Sequence, residues 1–430
     1  MCGMSQSSIG RRFAIGGHKR KLQPTFSPAH LTMAPQQYVI VGGGLAGASA
    51  IEGIRELDKE GPITLLTSER ELPYHRPPLS KTFLGGQGTL DDLRVQKAWW
   101  YPRMNVRVRL NTTVKSIHLG KASLTLESGD RVSYDRLLLA TGSSARGLNA
   151  PGVDTPGVHY LRTLQDCYAL RNAIKPGKRL VLVGGGFIGM EVAATARMIG
   201  ADVTVLEMGP TLYRSFASPE LSEYFKKLLE SQGVAIRLNT KVTKFRAAEG
   251  KVAAVVTDAG EVPCDLVVAG VGAEPNTGWL ANSGISIDRG GVNVNVRLET
   301  SGKQVWAAGD IARFPDPVTK QPRRLEHWNN ALAMGKLAGR NMAGAGEPYH
   351  HQSAYFSDLF DITLNVLGET DSPDSVEIRG SMDSAAPNFT ALYQRNFKFL
   401  GAVTVNLNTI DRTADIEALQ QHLAAGTLPE

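Results

Sequence analysis

Cysteine is nearly missing: 430 residues contain three, Cys2, Cys167 and Cys264, and no two are close in sequence. That spacing excludes a C-x-x-C or C-x4-C dithiol and any iron-sulfur cluster held wholly by cysteines of this chain. No stretch approaches the roughly 20 apolar residues that a membrane-spanning helix needs, so no membrane span is expected. Acidic residues are absent from residues 1–33, where Arg11, Arg12, Lys19, Arg20 and Lys21 fall. That extension supplies five of the six net positive charges, and the body is nearly neutral. Overall charge therefore gives no reason to expect a nucleic-acid partner. The acid-free, Ser- and Arg-containing extension reads either as an organellar (mitochondrial) transit peptide or as an unstructured extension ahead of a start at Met33. Composition favours the second reading, and with it a cytoplasmic protein.

What is present is glycine, 45 residues of it, with 22 prolines and a hydrophobic content of 42%. This balance fits a loop-rich α/β enzyme, and the length implies two or three domains. One pattern occurs twice. Tyr38-Val39-Ile40-Val41 reads as a buried parallel strand, followed by Gly42, Gly44 and Gly47 in G-x-G-x-x-G spacing and a helix over residues 46–57. Leu180-Val181-Leu182-Val183 repeats the strand, and Gly184, Gly186 and Gly189 repeat the spacing before a helix over 188–199. In such a turn the first glycine permits the bend, the second lets backbone N–H groups approach a pyrophosphate, and the third packs helix on strand. One copy is weak evidence of a dinucleotide site. Two copies, each between strand and helix, are strong evidence.

The two copies continue differently. Glu207 ends the strand Val203-Thr204-Val205-Leu206, 21 residues beyond Gly186, where a carboxylate accepts hydrogen bonds from ribose hydroxyls. NADH fits that acid better than NADPH, whose 2'-phosphate would face it, although Arg214 stands nearby. In the first copy the corresponding acid is Glu69, which comes late, with Ser68 in the more usual place. Cys264, between Pro263 and an apolar strand, reads as a buried, inert thiol.

Further motifs then converge. Leu72-Pro73-Tyr74-His75-Arg76-Pro77-Pro78-Leu79-Ser80-Lys81, Ala140-Thr141-Gly142, Ala308-Gly309-Asp310 and Glu326-His327-Trp328 resemble the FAD-dependent ferredoxin reductases of bacterial oxygenase systems, within the pyridine nucleotide-disulfide oxidoreductase family. Apoptosis-inducing factor belongs to the same structural group. The resemblance runs from Tyr38 to the C-terminus. It implies a glutathione-reductase-like architecture: two Rossmann-like domains, for FAD and NAD, and a C-terminal α+β domain. The implied layout is an extension at 1–33, FAD-binding parts at 34–149 and 277–323, an NAD-binding domain at 150–276 and a C-terminal domain at 324–430. Proline and glycine clusters at Pro151-Gly152, Pro156-Gly157 and Gly272-Ala273-Glu274-Pro275-Asn276 suit the connections.

The resemblance also implies roles for single residues. Arg76 would contact the FAD pyrophosphate, against the alternative of a solvated loop arginine. Asp310 would accept the ribityl hydroxyls, with or instead of capping a helix that begins after it. Lys81 and Glu191 would pair beside the flavin and act as catalytic groups with Trp328, which would border flavin and nicotinamide, while Glu326 and His327 would line that pocket. Val114, Ala140, Thr141, Gly142 and Gly272 complete the cofactor contacts, and no metal site is expected. Tyr355-Phe356-Ser357-Asp358 matches a family segment that carries tryptophan where this chain has Phe356.

Electrons from NADH have no internal dithiol to reach, so the flavin must deliver them outward. The family precedent is a small iron-sulfur carrier, a 2Fe-2S ferredoxin or a rubredoxin, served by a monomer or homodimer. Two other readings stay open from the residues alone. One is a monodehydroascorbate-reductase-like enzyme; the other is an interaction protein switched by NADH, like apoptosis-inducing factor.

Overall fold

The computed structural model describes residues 36–317, 321–352 and 354–429. The basic extension and Cys2, with the readings that rest on them, lie outside the described residues.

Both glycine-containing segments fold as read. Tyr38–Val41 and Arg179–Val183 are central strands of two separate five-stranded sheets in which every pairing is parallel. Their apolar runs are continuous because both faces are covered: in the second unit Leu180 and Leu182 pack with helix Phe187–Ile199, while Val181 and Val183 pack with Phe245, Val252, Val255 and Val262 of an antiparallel sheet. Helices Leu45–Leu57 and Phe187–Ile199 come directly after them, each with the second glycine of its turn as N-cap. The two units share more than the βα start. Each continues to a neighbouring strand (Ile63–Leu66, Asp202–Leu206), then through a three-stranded antiparallel sheet (114–133, 242–263) to a return strand (Arg136–Leu139, Leu266–Ala269) beside the first. Strand Val305–Ala307 pairs with Arg136–Leu139, so the chain comes back to the first sheet after completing the second. Ser143–Ala145 and Ala273–Pro275 pair antiparallel where the chain leaves the first unit and where it returns.

Helix Trp328–Met342 lies against helix Leu45–Leu57 at backbone contact distance. A Cβ on Gly335 would stand 2.2 Å from the Ala46 carbonyl oxygen, and one on Gly339 2.1 Å from that of Ala50. Glycine four residues apart is what lets the two helices approach this closely. Beyond it, strands Ala354–Leu359, Ile362–Gly368, Lys398–Leu407, Asn388–Arg395 and Ser375–Ser381 form an antiparallel sheet in that spatial order, and helix Thr413–Ala425 packs on it. Among the described residues no helix is long and apolar enough to cross a membrane.

Candidate functional site

The six glycines divide by what surrounds them, and the division is the same in both units. At the first glycine of each turn φ is +122° (Gly42) and +110° (Gly184), and a Cβ would lie 2.0 Å from the Ala140 carbonyl oxygen or 2.4 Å from that of Gly270. Only glycine tolerates both the backbone angle and the approach. The third glycines, Gly47 and Gly189, would place a Cβ 2.1 and 2.3 Å from the carbonyl oxygens of Gly42 and Gly184. The second glycines, Gly44 and Gly186, have nothing within 4 Å of that position. Nothing in the protein's own packing requires glycine there. Each turn thus presents an open backbone surface at a helix N-terminus, the geometry a dinucleotide pyrophosphate needs.

The strand ends separate the two units. Glu207 directly follows Asp202–Leu206, and its carboxylate accepts from Gly185 N (2.6 Å) and Gly209 N (2.7 Å). The position that matches it in the first unit is Thr67, since Gly42 N bonds Leu66 O as Gly184 N bonds Leu206 O, at 2.8 Å in each case. Glu69 stands two residues further on. It accepts from Arg76 Nη2 (2.5 Å) and from the Tyr74 hydroxyl, and Arg76 Nη1 also donates to Arg162 O (2.6 Å). Arg76 is therefore built into an ordered cluster and is no free loop side chain.

That cluster extends to Asp310, which is 8% exposed and accepts from Ser143 Oγ (2.7 Å) and Arg162 Nη2 (2.5 Å). Arg162 Nε donates to Ser143 O at 2.9 Å, which fixes the guanidinium across the junction. Sequence reasoning misses Arg162, because a single arginine after a short strand carries no spacing signal. A single 3₁₀ turn, Gly309–Ile311, and then strand Ala312–Pro315 come at and after Asp310, and its side chain caps no helix. The expected capping role is corrected accordingly. Thr141 and Asn276 tie the exit and return segments together, Thr141 Oγ1 donating to Asn276 O (2.8 Å) and Asn276 Nδ2 to Thr141 O (3.0 Å). Ala140 and Gly142 flank Thr141, Gly272 holds φ at +108° with open space beside it, and the Val114 side chain lies in the core of the first unit.

Lys81 and Glu191, 110 residues apart, meet with Nζ 3.2 Å from Oε1, and both are nearly buried. Ser80 and Ser357 each donate a hydroxyl to the same carboxylate. Burial pushes the Glu191 carboxyl above the usual range, opposed by the Lys81 charge and by these hydroxyls. Lys81 Nζ also lies 3.3 Å from Asp358 Oδ2 and 4.8 Å from the centre of the Phe356 ring.

Trp328 opens its helix and donates Nε1–H to His75 Nδ1 at 3.1 Å, so that nitrogen carries no proton. Next to it the His327 ring packs 4.0 Å from Tyr355, whose ring lies 5.2 Å from Phe187, the first residue of the second unit's helix. Glu326 is exposed and pairs with Arg324; it does not join this half-buried aromatic group. Cys167 and Cys264 are buried with free thiols, pushed up to about 11 by that burial, so neither supplies a thiolate near neutral pH.

Two parallel nucleotide-type units joined through the Lys81–Glu191 and Arg162–Asp310 ion pairs define a class, and comparison with known proteins supplies the family. Residues 36–335 match the pyridine nucleotide-disulphide oxidoreductase family, and the chain belongs to it. Among its relatives is the ferredoxin–NAD(+) reductase component of the anthranilate 1,2-dioxygenase system of Burkholderia cepacia. That protein is 34% identical over 400 residues, 93% of this chain and 96% of the relative. The rubredoxin–NAD(+) reductase of Pseudomonas putida is 32% identical over 370 residues, covering 86% and 95% of the two chains. The crystal structure of the covalent putidaredoxin reductase–putidaredoxin complex superposes with a TM-score of 0.86 at 32% identity, over 92% of this chain and 94% of that one.

Proposed function

We propose that this chain is an NADH-dependent, FAD-containing reductase that passes electrons outward to a 2Fe-2S ferredoxin or a rubredoxin. In this reading the first unit, 34–149 with 277–323, holds FAD, and the second, 150–276, receives NADH. Helix Trp328–Met342 covers the first, and the C-terminal sheet comes after it. Cytoplasmic placement belongs to the same reading. The observation that carries it is the pair of glycine turns with the middle glycine open in both, combined with the absence of a close cysteine pair. FAD supplies the conversion between a hydride, taken as two electrons, and single electrons.

The residues divide the work. Gly44 and Gly186 leave room for the two pyrophosphates, and Arg76 and Arg162 place positive charge beside the first. Asp310 and Glu69 are the acids available to ribityl and ribose hydroxyls there, and Glu207 is the one available to NADH. Lys81, paired with Glu191 and shielded from water, provides a fixed positive charge where negative charge develops, and a preorganised charge in a dry site acts strongly. Trp328, held by its hydrogen bond to His75, is the aromatic side chain that this reading sets against flavin and nicotinamide. The relatives compared are ferredoxin and rubredoxin reductases, which does not favour a monodehydroascorbate reductase or an NADH-switched interaction protein.

Anaerobic mixing of the flavin-loaded protein with NADH, then addition of candidate ferredoxins and rubredoxins, tests the proposal. Bleaching of the flavin by NADH and fast reoxidation by one of the iron-sulfur proteins is the expected result. Fast reoxidation by ascorbate radical alone would overturn it.

A further inference from the structure

Glu191 has more around it than the lysine. Oε1 accepts from Ser357 Oγ and faces Lys81 Nζ, while Oε2 accepts from Ser80 Oγ. The donors come from two segments that are foreign to the helix carrying Glu191: the Pro77–Ser80 turn with Lys81, and strand Ala354–Leu359 of the C-terminal sheet. Thr195, one helical turn beyond Glu191, donates to Ser80 O at 2.8 Å and fixes that turn. Tyr213 is the remaining ionisable group near Glu191; its buried hydroxyl has no hydrogen-bond partner among the described residues.

Lys81 alone does not offset the negative charge around it. One ammonium, Lys81, faces two carboxylates, Glu191 and Asp358. The Asp358 side chain is 38% exposed and has water as well as Thr363 Oγ1 at 2.8 Å; that of Glu191 is 7% exposed and has only protein donors. A carboxylate stripped of water keeps its charge only if donors replace the lost hydration.

We propose that Ser357 is a positioning residue for reduction by NADH: its hydroxyl, supplied by the C-terminal sheet, holds Glu191 ionised and oriented against Lys81. This rests on the reading of Lys81 and Glu191 given above. It gives the C-terminal sheet a part in the nicotinamide half of the reaction. Ser80 performs the same service from the opposite side.

The test uses the full chain with Ser357→Ala, Ser357→Thr, Ser80→Ala and Glu191→Gln. Isotope-edited infrared spectra read protonation of the buried carboxyl against pH, in flavin-loaded and flavin-free protein, and stopped-flow mixing reads NADH-driven flavin reduction over the same pH range. Loss of one hydroxyl donated to a carboxylate is expected to raise the protonation midpoint by about one to two pH units. Reduction in Ser357→Ala then falls about tenfold below the new midpoint, recovers above it, and is restored by Ser357→Thr. If Ser357→Ala folds poorly, Ser80→Ala must show the same upward shift. An unmoved midpoint with a uniformly scaled rate profile overturns the proposal. Normal reduction in Glu191→Gln overturns the parent reading instead, and the two failures are distinguishable because the infrared midpoint does not depend on turnover.

Discussion

The two nucleotide-type units are built to one plan, yet their crevices are covered differently. Two residues past the middle glycine, the first unit has Ala46, 6% exposed, and the second has Ile188, 45% exposed. Ala46 is covered by chain that arrives much later: a Cβ on Gly309 would lie 3.0 Å from its own Cβ, and Gly335 touches its backbone. Met208, next to Glu207, is 68% exposed. A crevice roofed by the protein suits a cofactor bound once and kept. An open one suits a ligand that must arrive and leave at every turnover.

The sharpest way to break this comparison is to close the two turns separately. A methyl at Gly42 or Gly184 meets a backbone carbonyl at 2.0 or 2.4 Å in a φ region that side chains avoid. Each substitution is expected to cost about 3 kcal/mol or more. Gly42→Ala should be isolated without flavin, judged by visible absorbance, while Gly184→Ala should retain flavin and lose affinity for NADH. If Gly184→Ala were the flavin-free protein, the assignment of the two units would be reversed.

Lys81 joins the units, and its removal should slow reduction while leaving both ligands bound. Lys81→Ala is expected to reduce NADH-driven flavin reduction about 100-fold, which corresponds to about 2.7 kcal/mol of barrier. Stopped-flow rates with unchanged flavin content would check it, and a normal rate would remove Lys81 from the site.

A third substitution concerns only the open unit. Glu207 accepts from Gly185 N and Gly209 N, so its carboxylate already lies against the turn where the NADH ribose is expected. Glu207→Ala should raise the ratio of kcat/KM for NADPH over NADH about tenfold by removing repulsion of the 2'-phosphate. The same change at Glu69 should leave that ratio alone.

The parts of this comparison that were legible in sequence are those where backbone geometry restricts residue choice. Gly42, Gly47, Gly184 and Gly189 fill positions that no side chain fits, so strand, turn and helix could be located to within a residue or two. Contacts made by ordinary side chains across long separations left no such trace. Arg162 reaches Asp310 across 148 residues, and Ser357 reaches Glu191 across 166. Arg162 belongs to no sequence pattern, and Ser357, although it stands in the Tyr355-Phe356-Ser357-Asp358 segment, carries no sign in the sequence that Glu191 is its partner; the fold brings each pair together. The Gly335 and Gly339 contact lies between these cases. Its four-residue spacing is a sequence signal, but the surface it matches, Ala46 and Ala50, is 289 residues earlier. Glu69 shows the opposite limit: the sequence already marks this acid as late, one residue past Ser68, and the register puts the position that matches Glu207 one residue earlier still, at Thr67.

The smallest expected effect concerns the roof of the first unit. His327 is the N-cap residue of helix Trp328–Met342 and packs on Tyr355, which in turn touches Phe187 of the second unit. Burial, helped by the Arg323 charge and opposed by Asp310, pushes its imidazole down to about 4. In the unfolded chain it returns to about 6.5. Between those values the unfolded state binds a proton that the folded state refuses. The stability tied to neutral His327 is thus fully present above about pH 6.5 and is lost as pH falls toward 4. Acidification should loosen the helix that covers the first unit and release flavin, while His327→Phe, which keeps the ring contact without a titrating group, should hold flavin to lower pH. Flavin fluorescence followed down a pH series measures both proteins. Identical release curves would show that the cover of the first unit does not depend on this histidine.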